Sequence, residues 1–158
     1  MSSTAVVPEL SVVRPRTATA PELLALMARR AHAAGWVGDG FEAALLAREV
    51  AFPTGLPTPV PVALPHADPE HVRRPGLGAA LLDPPVAFGE MGTTGERTVA
   101  VRLALVLLVD DPAQQVPLLA RLVGVLQRPD WADGLEDVHD AAGLAERLNG
   151  LLGAVPAP

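Results

Sequence analysis

The sequence predicts an α/β protein, a single-domain sandwich in which a mixed β-sheet is covered by helices on both faces. Segments with helical spacing of apolar residues alternate with apolar strand segments, without equal internal repeats. The 158 residues suffice for one domain with an ordinary core, whereas two domains would each be small. We expect the domain to span residues 19–152, between a disordered N-terminal tail at 1–18 and a flexible C-terminal tail at 153–158.

Two helices are predicted at the start of this domain. The first begins at Thr19 and ends at Gly35, since the apolar residues between them recur at helical spacing. The second is expected from residue 40 to about residue 50. The spacing from Phe41 places Arg48 on the side of this helix that faces protein. An idle charge there is costly, so Arg48 is a candidate functional residue.

Strand regions are predicted next. A proline-rich segment leads into a short strand at 60–64, and residues 68–70 then have the pattern of a capped helix start. Residues 77–82 and 86–88 are typical of strand segments, separated by an Asp-Pro-Pro break. The stretch 98–109 is nearly continuous in β-branched and apolar residues, which is the pattern of a strand buried on both faces.

Two further helices complete the prediction. Asp111 and Pro112 open one of them, although Pro117 requires either a later start or a kink. We expect its apolar face to belong to the core, and that face consists of Val116, Leu119, Ala120, Val123 and Leu126. After a connecting region at 131–140, the final amphipathic helix occupies residues 141–152.

Composition and charge argue against several classes of function. The net charge is −6 and all twelve basic residues are arginine, so there is no lysine-rich stripe to follow a nucleic-acid backbone. The absence of cysteine excludes disulfides, thiolate metal sites and cysteine nucleophiles. The N-terminus lacks a secretory signal pattern, and the strongest apolar run, at 99–109, is about half the ~20 residues of a membrane span. We therefore expect a cytoplasmic protein without direct membrane insertion.

A histidine provides the strongest functional signal in the chain. His66 follows the short predicted strand directly and stands on a loop, a placement that suits a reactive imidazole. Upstream, Arg48-Glu49 ends a helix, and the strand closes in Ala63-Leu64-Pro65-His66-Ala67. This pattern resembles the IIA proteins of the sugar phosphotransferase system, in the EIIA type-2 family of the fructose–mannitol superfamily. The resemblance implies that His66 accepts phosphate through the ring nitrogen far from the backbone, and that Arg48 stabilises the phosphoryl group.

These residue types suit phosphoryl chemistry. An arginine guanidinium is a planar, always protonated fork that can hydrogen-bond two phosphoryl oxygens at once. The helix expected after Asp68 would point free backbone amides at the same place, and Thr54 could donate a further hydrogen bond. No base is required, since a neutral imidazole attacks phosphorus directly.

One position departs from the mannitol-type pattern. Members of that type carry a second active-site histidine at the start of the helix after the long buried strand, where this chain has Gln115. Glutamine can donate a hydrogen bond to phosphate or orient His66, but it cannot titrate near neutral pH. This substitution, together with the segments FPTGLPT, PHADPEHV and PVAFGEMG, is most similar to the galactitol-type branch. The resemblance covers roughly residues 20–150.

The other histidines are weaker candidates. His71 lies one helical turn beyond Asp68, where it either reaches the rim of the site or is a solvated helix residue. His32 and His139 have no convergent partners in the sequence and are typical of surface positions. The set of His66, Asp68 and His71 invites a zinc interpretation, but no further ligand lies nearby. We therefore expect neither a metal nor an organic cofactor.

The resemblance implies a phosphocarrier. HPr would phosphorylate His66, and a IIB component would take the phosphoryl group onward for a membrane-embedded IIC sugar permease, so the carrier itself touches no sugar. Two alternatives stay open: a regulatory protein whose phosphorylation state controls a binding partner, and a degenerate IIA fold that serves only as an interaction module. We expect His66 to sit in a shallow, mostly apolar depression that two partners cover in turn. The sequence does not fix the sugar.

Overall fold

A five-stranded mixed sheet forms the centre of the fold in the computed structural model, which describes residues 4–153. The strands are β1 (Val12–Val13), β2 (Gly55–Leu56), β3 (Val62–Ala63), β4 (Gly76–Gly89) and β5 (Thr98–Leu108). Their spatial order is β1-β4-β5-β3-β2. The β1–β4 and β3–β5 pairs are parallel, whereas β4–β5 and β2–β3 are antiparallel. The predicted mixed sheet is confirmed.

Four α-helices cover this sheet on both faces, as the sequence predicts. They are α1 (Ala20–Ala33), α2 (Phe41–Ala51), α3 (Pro112–Leu126) and α4 (Ala141–Gly153). Buried residues of α1 and α2 share one apolar core, and those of α3 and α4 share the other. Among residues 4–153, none of these helices combines the length and apolar character that a bilayer span requires.

Local sequence explains where the helices begin and end. The Thr19 hydroxyl oxygen accepts a hydrogen bond from the Glu22 amide at 3.3 Å, which caps α1. Gly35 follows that helix with φ of +82°, a left-handed conformation that glycine adopts without strain. Asp111 caps α3 by accepting from the Ala113 amide at 3.0 Å. Both predicted cap positions are confirmed.

The two predicted strand segments around the Asp-Pro-Pro sequence form one strand, β4. Its pairing with β5 shifts in register between Leu81 and Val86, so the prolines fall where the regular ladder is interrupted. The chain then turns back, and the Glu90 amide donates to the Arg97 carbonyl at 2.8 Å. The second half of β5 is buried, and the short β3 strand pairs with Leu103 and Ala104 near the middle of β5.

The predicted N-terminal tail is wrong for residues 4–18. Val6 and Leu10 are buried, and Val12 pairs in parallel with Ala80 at the edge of the sheet. The side chain of Asn149 on α4 holds this segment, because it accepts from the Val6 amide at 2.8 Å and donates to the Val6 carbonyl at 2.9 Å. The apolar residues of the segment follow no regular period, so they resemble a tail in sequence. Residues 1–3, and residues 154–158 of the predicted C-terminal tail, lie outside the described residues.

The predicted apolar face of α3 is wrong in its first turns. The helix begins at Pro112, which excludes the later start, and Pro117 lies inside it. Val116 is 74% exposed, whereas Leu122 and Val125 are buried. At about 100° per residue, Val116 lies roughly 120° around the helix from Leu122, which removes it from the buried side. Val116 is therefore surface and not core.

Candidate functional site

His66 stands immediately beyond β3, held against the carboxyl end of β5. It forms a parallel bridge with Leu107, and the neighbouring Pro65 carbonyl accepts from the Leu107 amide at 2.9 Å. The side chain is nearly buried, with a relative exposure of 6% for the residue. Little of the ring is therefore accessible to solvent.

The backbone around His66 selects one tautomer of its ring. The Nδ1 atom lies 2.8 Å from the carbonyl oxygen of Leu64. A carbonyl can only accept, so Nδ1 carries the proton and donates to it. In the neutral ring the lone pair then belongs to Nε2, the nitrogen farther from the backbone. This arrangement makes Nε2 the ring atom that can act as a nucleophile.

The surroundings of His66 favour the uncharged imidazole. Burial is the main cause, and it lowers the pKa of His66 below its ordinary value. The hydrogen bond from Nδ1 to Leu64 opposes this shift, the Arg48 guanidinium lowers the pKa further, and Asp68 raises it. The net lowering keeps the ring neutral, as nucleophilic attack requires.

Arg48 lies in the last turn of α2 and brings a guanidinium to the site. Its Nη1 atom is 3.7 Å from Asp68 Oδ1, and its guanidinium carbon lies 5.1 Å from the ring centroid of Phe52. Its buried Nε has no hydrogen-bond partner among residues 4–153. Because the ion pair is long, the terminal guanidinium nitrogens retain hydrogen-bonding capacity for an anionic group.

The predicted helix start at Asp68 is wrong. A single 3₁₀ turn, Pro69–His71, follows it, and the Asp68 side chain makes no capping hydrogen bond. The chain leaves this turn at once, because Val72 is extended and forms an antiparallel bridge with Val37. Asp68 instead directs its carboxylate towards Arg48. The site therefore has no α-helix N-terminus at this loop.

Thr54 is committed to Glu49, a residue whose role the sequence reasoning missed. Thr54 is buried, its amide donates to Glu49 Oε2 at 2.8 Å, and its hydroxyl donates to Glu49 Oε1 at 2.7 Å. The only hydroxyl proton is thus used within the protein. The expected hydrogen bond from Thr54 to a phosphoryl group has no support in this geometry. The signal available in the sequence was a threonine five residues after the glutamate of the Arg-Glu pair.

Among residues 4–153, no side-chain hydrogen bond joins Gln115 or His71 to His66. Gln115 is half-buried near the start of α3. His71 packs against the start of α2, since a Cβ built on Gly40 would lie 3.2 Å from its Nδ1. Eight residues of helix, about 12 Å, separate Gly40 from Arg48.

The remaining histidines lie on the surface, as expected. His32 Nε2 is 2.7 Å from Asp39 on an exposed part of the molecule, and His139 is exposed. Within residues 4–153, no group of three or more His, Cys, Asp or Glu side chains has the arrangement of a metal site. The candidate site therefore consists of His66, Arg48 and Asp68, with Glu49 and Thr54 behind them.

Solved structures with the same fold include two of mannitol IIA. The crystal structure of IIA mannitol from Escherichia coli has a TM-score of 0.69 at 18% identity, and the match covers 90% of this chain and 98% of that one. The complex of enzyme IIA mannitol with phosphorylated enzyme IIB mannitol, also from Escherichia coli, gives 0.69 at 19% identity, covering 97% and 100%. These likenesses confirm the fold.

Sequence comparison identifies the family more specifically than the shared fold does. The galactitol-specific EIIA component of the phosphotransferase system of Escherichia coli is 35% identical over 115 residues, which are 72% of this chain and 75% of that protein. This confirms the expected likeness to the galactitol-type branch. The model of the family described as phosphoenolpyruvate-dependent sugar phosphotransferase system, EIIA 2, matches residues 7–150. The chain belongs to this EIIA 2 family.

Proposed function

We propose that this chain is a sugar-specific IIA phosphocarrier in which His66 accepts a phosphoryl group from phospho-HPr and passes it to a IIB component. One observation carries the proposal: Nδ1 donates to the Leu64 carbonyl at 2.8 Å, which leaves the Nε2 lone pair free for attack. Membership of the EIIA 2 family and the presence of Arg48 beside this loop support it.

The transfer is a displacement at phosphorus. The Nε2 lone pair of His66 forms the new nitrogen–phosphorus bond, while the bond to the donor's histidine breaks and its electron pair returns to that imidazole. The proton on Nδ1 stays hydrogen-bonded to Leu64. Passage to IIB is the same displacement with His66 as the leaving group. The exchange is reversible, because donor and product are both phosphorylated protein side chains.

Arg48 is the proposed electrostatic stabiliser of this exchange. Its guanidinium presents several donors, and its ion pair with Asp68 is long at 3.7 Å. The arriving phosphoryl group, with a charge near −2, would compete with the single charge of Asp68 for the guanidinium. Arg48 would then exchange one anionic partner for a stronger one.

The relatives indicate which transport system the carrier serves. The galactitol-specific name of the 35% identical relative supports a galactitol-type system, with sugar recognition in a IIC permease and not in this chain. The carrier would act in the cytoplasm, where HPr and the IIB component meet it. It would need no metal or organic cofactor, since placement and charge stabilisation suffice for the transfer.

Intact-mass measurement of phosphorylation tests this proposal. The chain is incubated with phosphoenolpyruvate, enzyme I and HPr, and the parent is compared with His66→Ala. We expect one acid-labile phosphate on the parent and none on the variant. Arg48→Ala should be phosphorylated slowly and should hold the phosphate less stably. Addition of the galactitol-type IIB component should then remove the phosphate from the parent.

Two outcomes would contradict the proposal. A folded parent that gains no phosphate from cognate phospho-HPr would leave only an interaction module. A parent that gains phosphate on His66 but passes none to any IIB component would favour a regulatory role for the modification. Circular dichroism of each variant is the control, because it shows that a lost signal does not reflect unfolding.

A further inference from the structure

The carboxylate of Glu49 uses both of its oxygens on a single residue. Oε2 accepts from the Thr54 amide at 2.8 Å, and Oε1 accepts from the Thr54 hydroxyl at 2.7 Å. Burial raises the pKa of Glu49, while the hydrogen bonds from Thr54 and the charge of Arg48 lower it. Removing a carboxylate from water is costly unless it is hydrogen-bonded. The two hydrogen bonds from Thr54 offset this cost for Glu49.

The Glu49–Thr54 pair joins the two halves of the site. Glu49 directly follows Arg48 in the last turn of α2. On the other side, the Thr54 carbonyl accepts from the Leu64 amide at 3.4 Å, and the Leu64 carbonyl accepts from His66 Nδ1 at 2.8 Å. A continuous path of backbone and hydrogen bonds therefore leads from the arginine to the ring of the nucleophile.

We infer that Glu49 and Thr54 are positioning residues, which hold the Arg48 guanidinium and the Nε2 atom of His66 at a fixed separation for in-line phosphoryl transfer. This inference rests on the proposed function of His66. Thr54 acts through Glu49, because its only hydroxyl proton is donated to that carboxylate. Placement matters, since a shift of about 1 Å in a reacting group can cost on the order of 100-fold in rate.

Matched substitutions at Thr54 separate the hydroxyl from the shape of the side chain. The measurement is single-turnover phosphorylation of the full chain by phospho-HPr, followed by rapid quench. Thr54→Val keeps the shape and removes the donor, so we expect its rate constant to fall by about tenfold or more. Thr54→Ser keeps the donor and should stay within roughly threefold of the parent. Glu49→Gln should slow transfer as Thr54→Val does.

A control variant exists just beyond β2, in the turn that leads to β3. The Thr58 hydroxyl donates to the Val60 carbonyl at 2.8 Å, a local bond that does not connect Arg48 with His66. Thr58→Val should therefore transfer at the rate of the parent. A parent rate in Thr54→Val, or an equal loss in Thr54→Ser and Thr54→Val, would overturn the inference. If Thr54→Val does not fold, the rate constant of Glu49→Gln is compared with that of the parent instead.

A second measurement needs no phosphoryl donor. The pKa of His66, which burial of the ring lowers below its ordinary value, can be measured by NMR titration. A loosened segment would expose the ring, so this pKa should rise in Thr54→Val and stay unchanged in Thr58→Val. If the parent accepted no phosphate, the proposed function would fail, but the titration would still test the Glu49–Thr54 pair. An unchanged His66 pKa in folded Thr54→Val would overturn the positioning role.

Discussion

At the scale of single residues, the site balances charge around one imidazole. Burial and the Arg48 guanidinium both disfavour a positive charge on His66, and together they outweigh the effect of Asp68. The Leu64 carbonyl fixes the ring proton on Nδ1. The arginine that helps burial to keep the ring neutral before transfer is thus the same group that would neutralise the phosphoryl group afterwards.

The pH dependence of transfer follows from the lowered pKa of His66. Only the neutral ring attacks, and its pKa lies below the ordinary value of 6.5. As pH falls from 8, we therefore expect the single-turnover rate to reach half of its plateau value only below pH 6.5. NMR titration of the free protein should place the protonation of His66 in the same range. A rate that reaches half of its plateau value at or above pH 6.5 would contradict this.

Asp68 is expected to oppose phosphorylation. Its carboxylate pairs with Arg48 at 3.7 Å and would repel a phosphoryl group on His66. Asp68→Asn should therefore shift the phosphoryl equilibrium from HPr towards this chain by about fivefold, or ~1 kcal/mol. Partition of labelled phosphate between the two proteins measures this shift. Glu70→Gln is the matched control, because the Glu70 carboxylate lies 3.8 Å from His71 and is not paired with Arg48. Equal partition in the parent and Asp68→Asn would refute the prediction.

At the scale of elements, the end of α2 supplies several residues of the candidate site. Its last turn supplies Arg48 and Glu49, and the next residue of the chain beyond the helix, Phe52, lies under the guanidinium. Phe52 is 64% exposed. Such exposure is unusual for a large aromatic residue. An exposed aromatic ring at the rim of a transfer site fits the apolar surface that protein partners would cover.

Phe52 is expected to contribute to partner binding. Phe52→Ser should lower kcat/KM for phospho-HPr by about tenfold, mainly through KM, because the apolar contact is lost while the nucleophile is unchanged. Phe52→Tyr keeps both the ring and its stacking with Arg48, and it should behave like the parent. Steady-state transfer at varied HPr concentration measures both variants. Equal KM values in the parent and Phe52→Ser would exclude a docking role.

At the scale of the whole molecule, regular patterns in the sequence predicted most of the fold. Helical spacing and caps predicted α1, α2 and α4, and the long apolar run predicted β5. The motif around His66 predicted the placement of this residue on a loop after a strand. These features depend on neighbours within a few residues, so they are visible in one sequence.

The features that the sequence did not predict depend on tertiary contacts and on the path of the turns. Glu49 contacts Thr54 because the turn after α2 brings Thr54 back to the Glu49 carboxylate. Val116 is exposed because a different side of α3, which includes Leu122 and Val125, is buried. The N-terminal segment was taken for a tail, since its pairing with β4 and its bonds to Asn149 join residues far apart in the chain.

The N-terminal segment should therefore be part of the folding unit. Removal of residues 1–13 would expose the edge of β4 and uncover the sites that Val6 and Leu10 fill in the two cores. We expect such a truncation to reduce the free energy of unfolding by about 3 kcal/mol or more, measured by urea denaturation. Asn149→Ala tests the same attachment without shortening the chain, and the loss of two hydrogen bonds to Val6 should cost about 1–3 kcal/mol. Unchanged unfolding midpoints in both variants would show that these residues do form a dispensable tail, and that the sheet is stable with β4 at its edge.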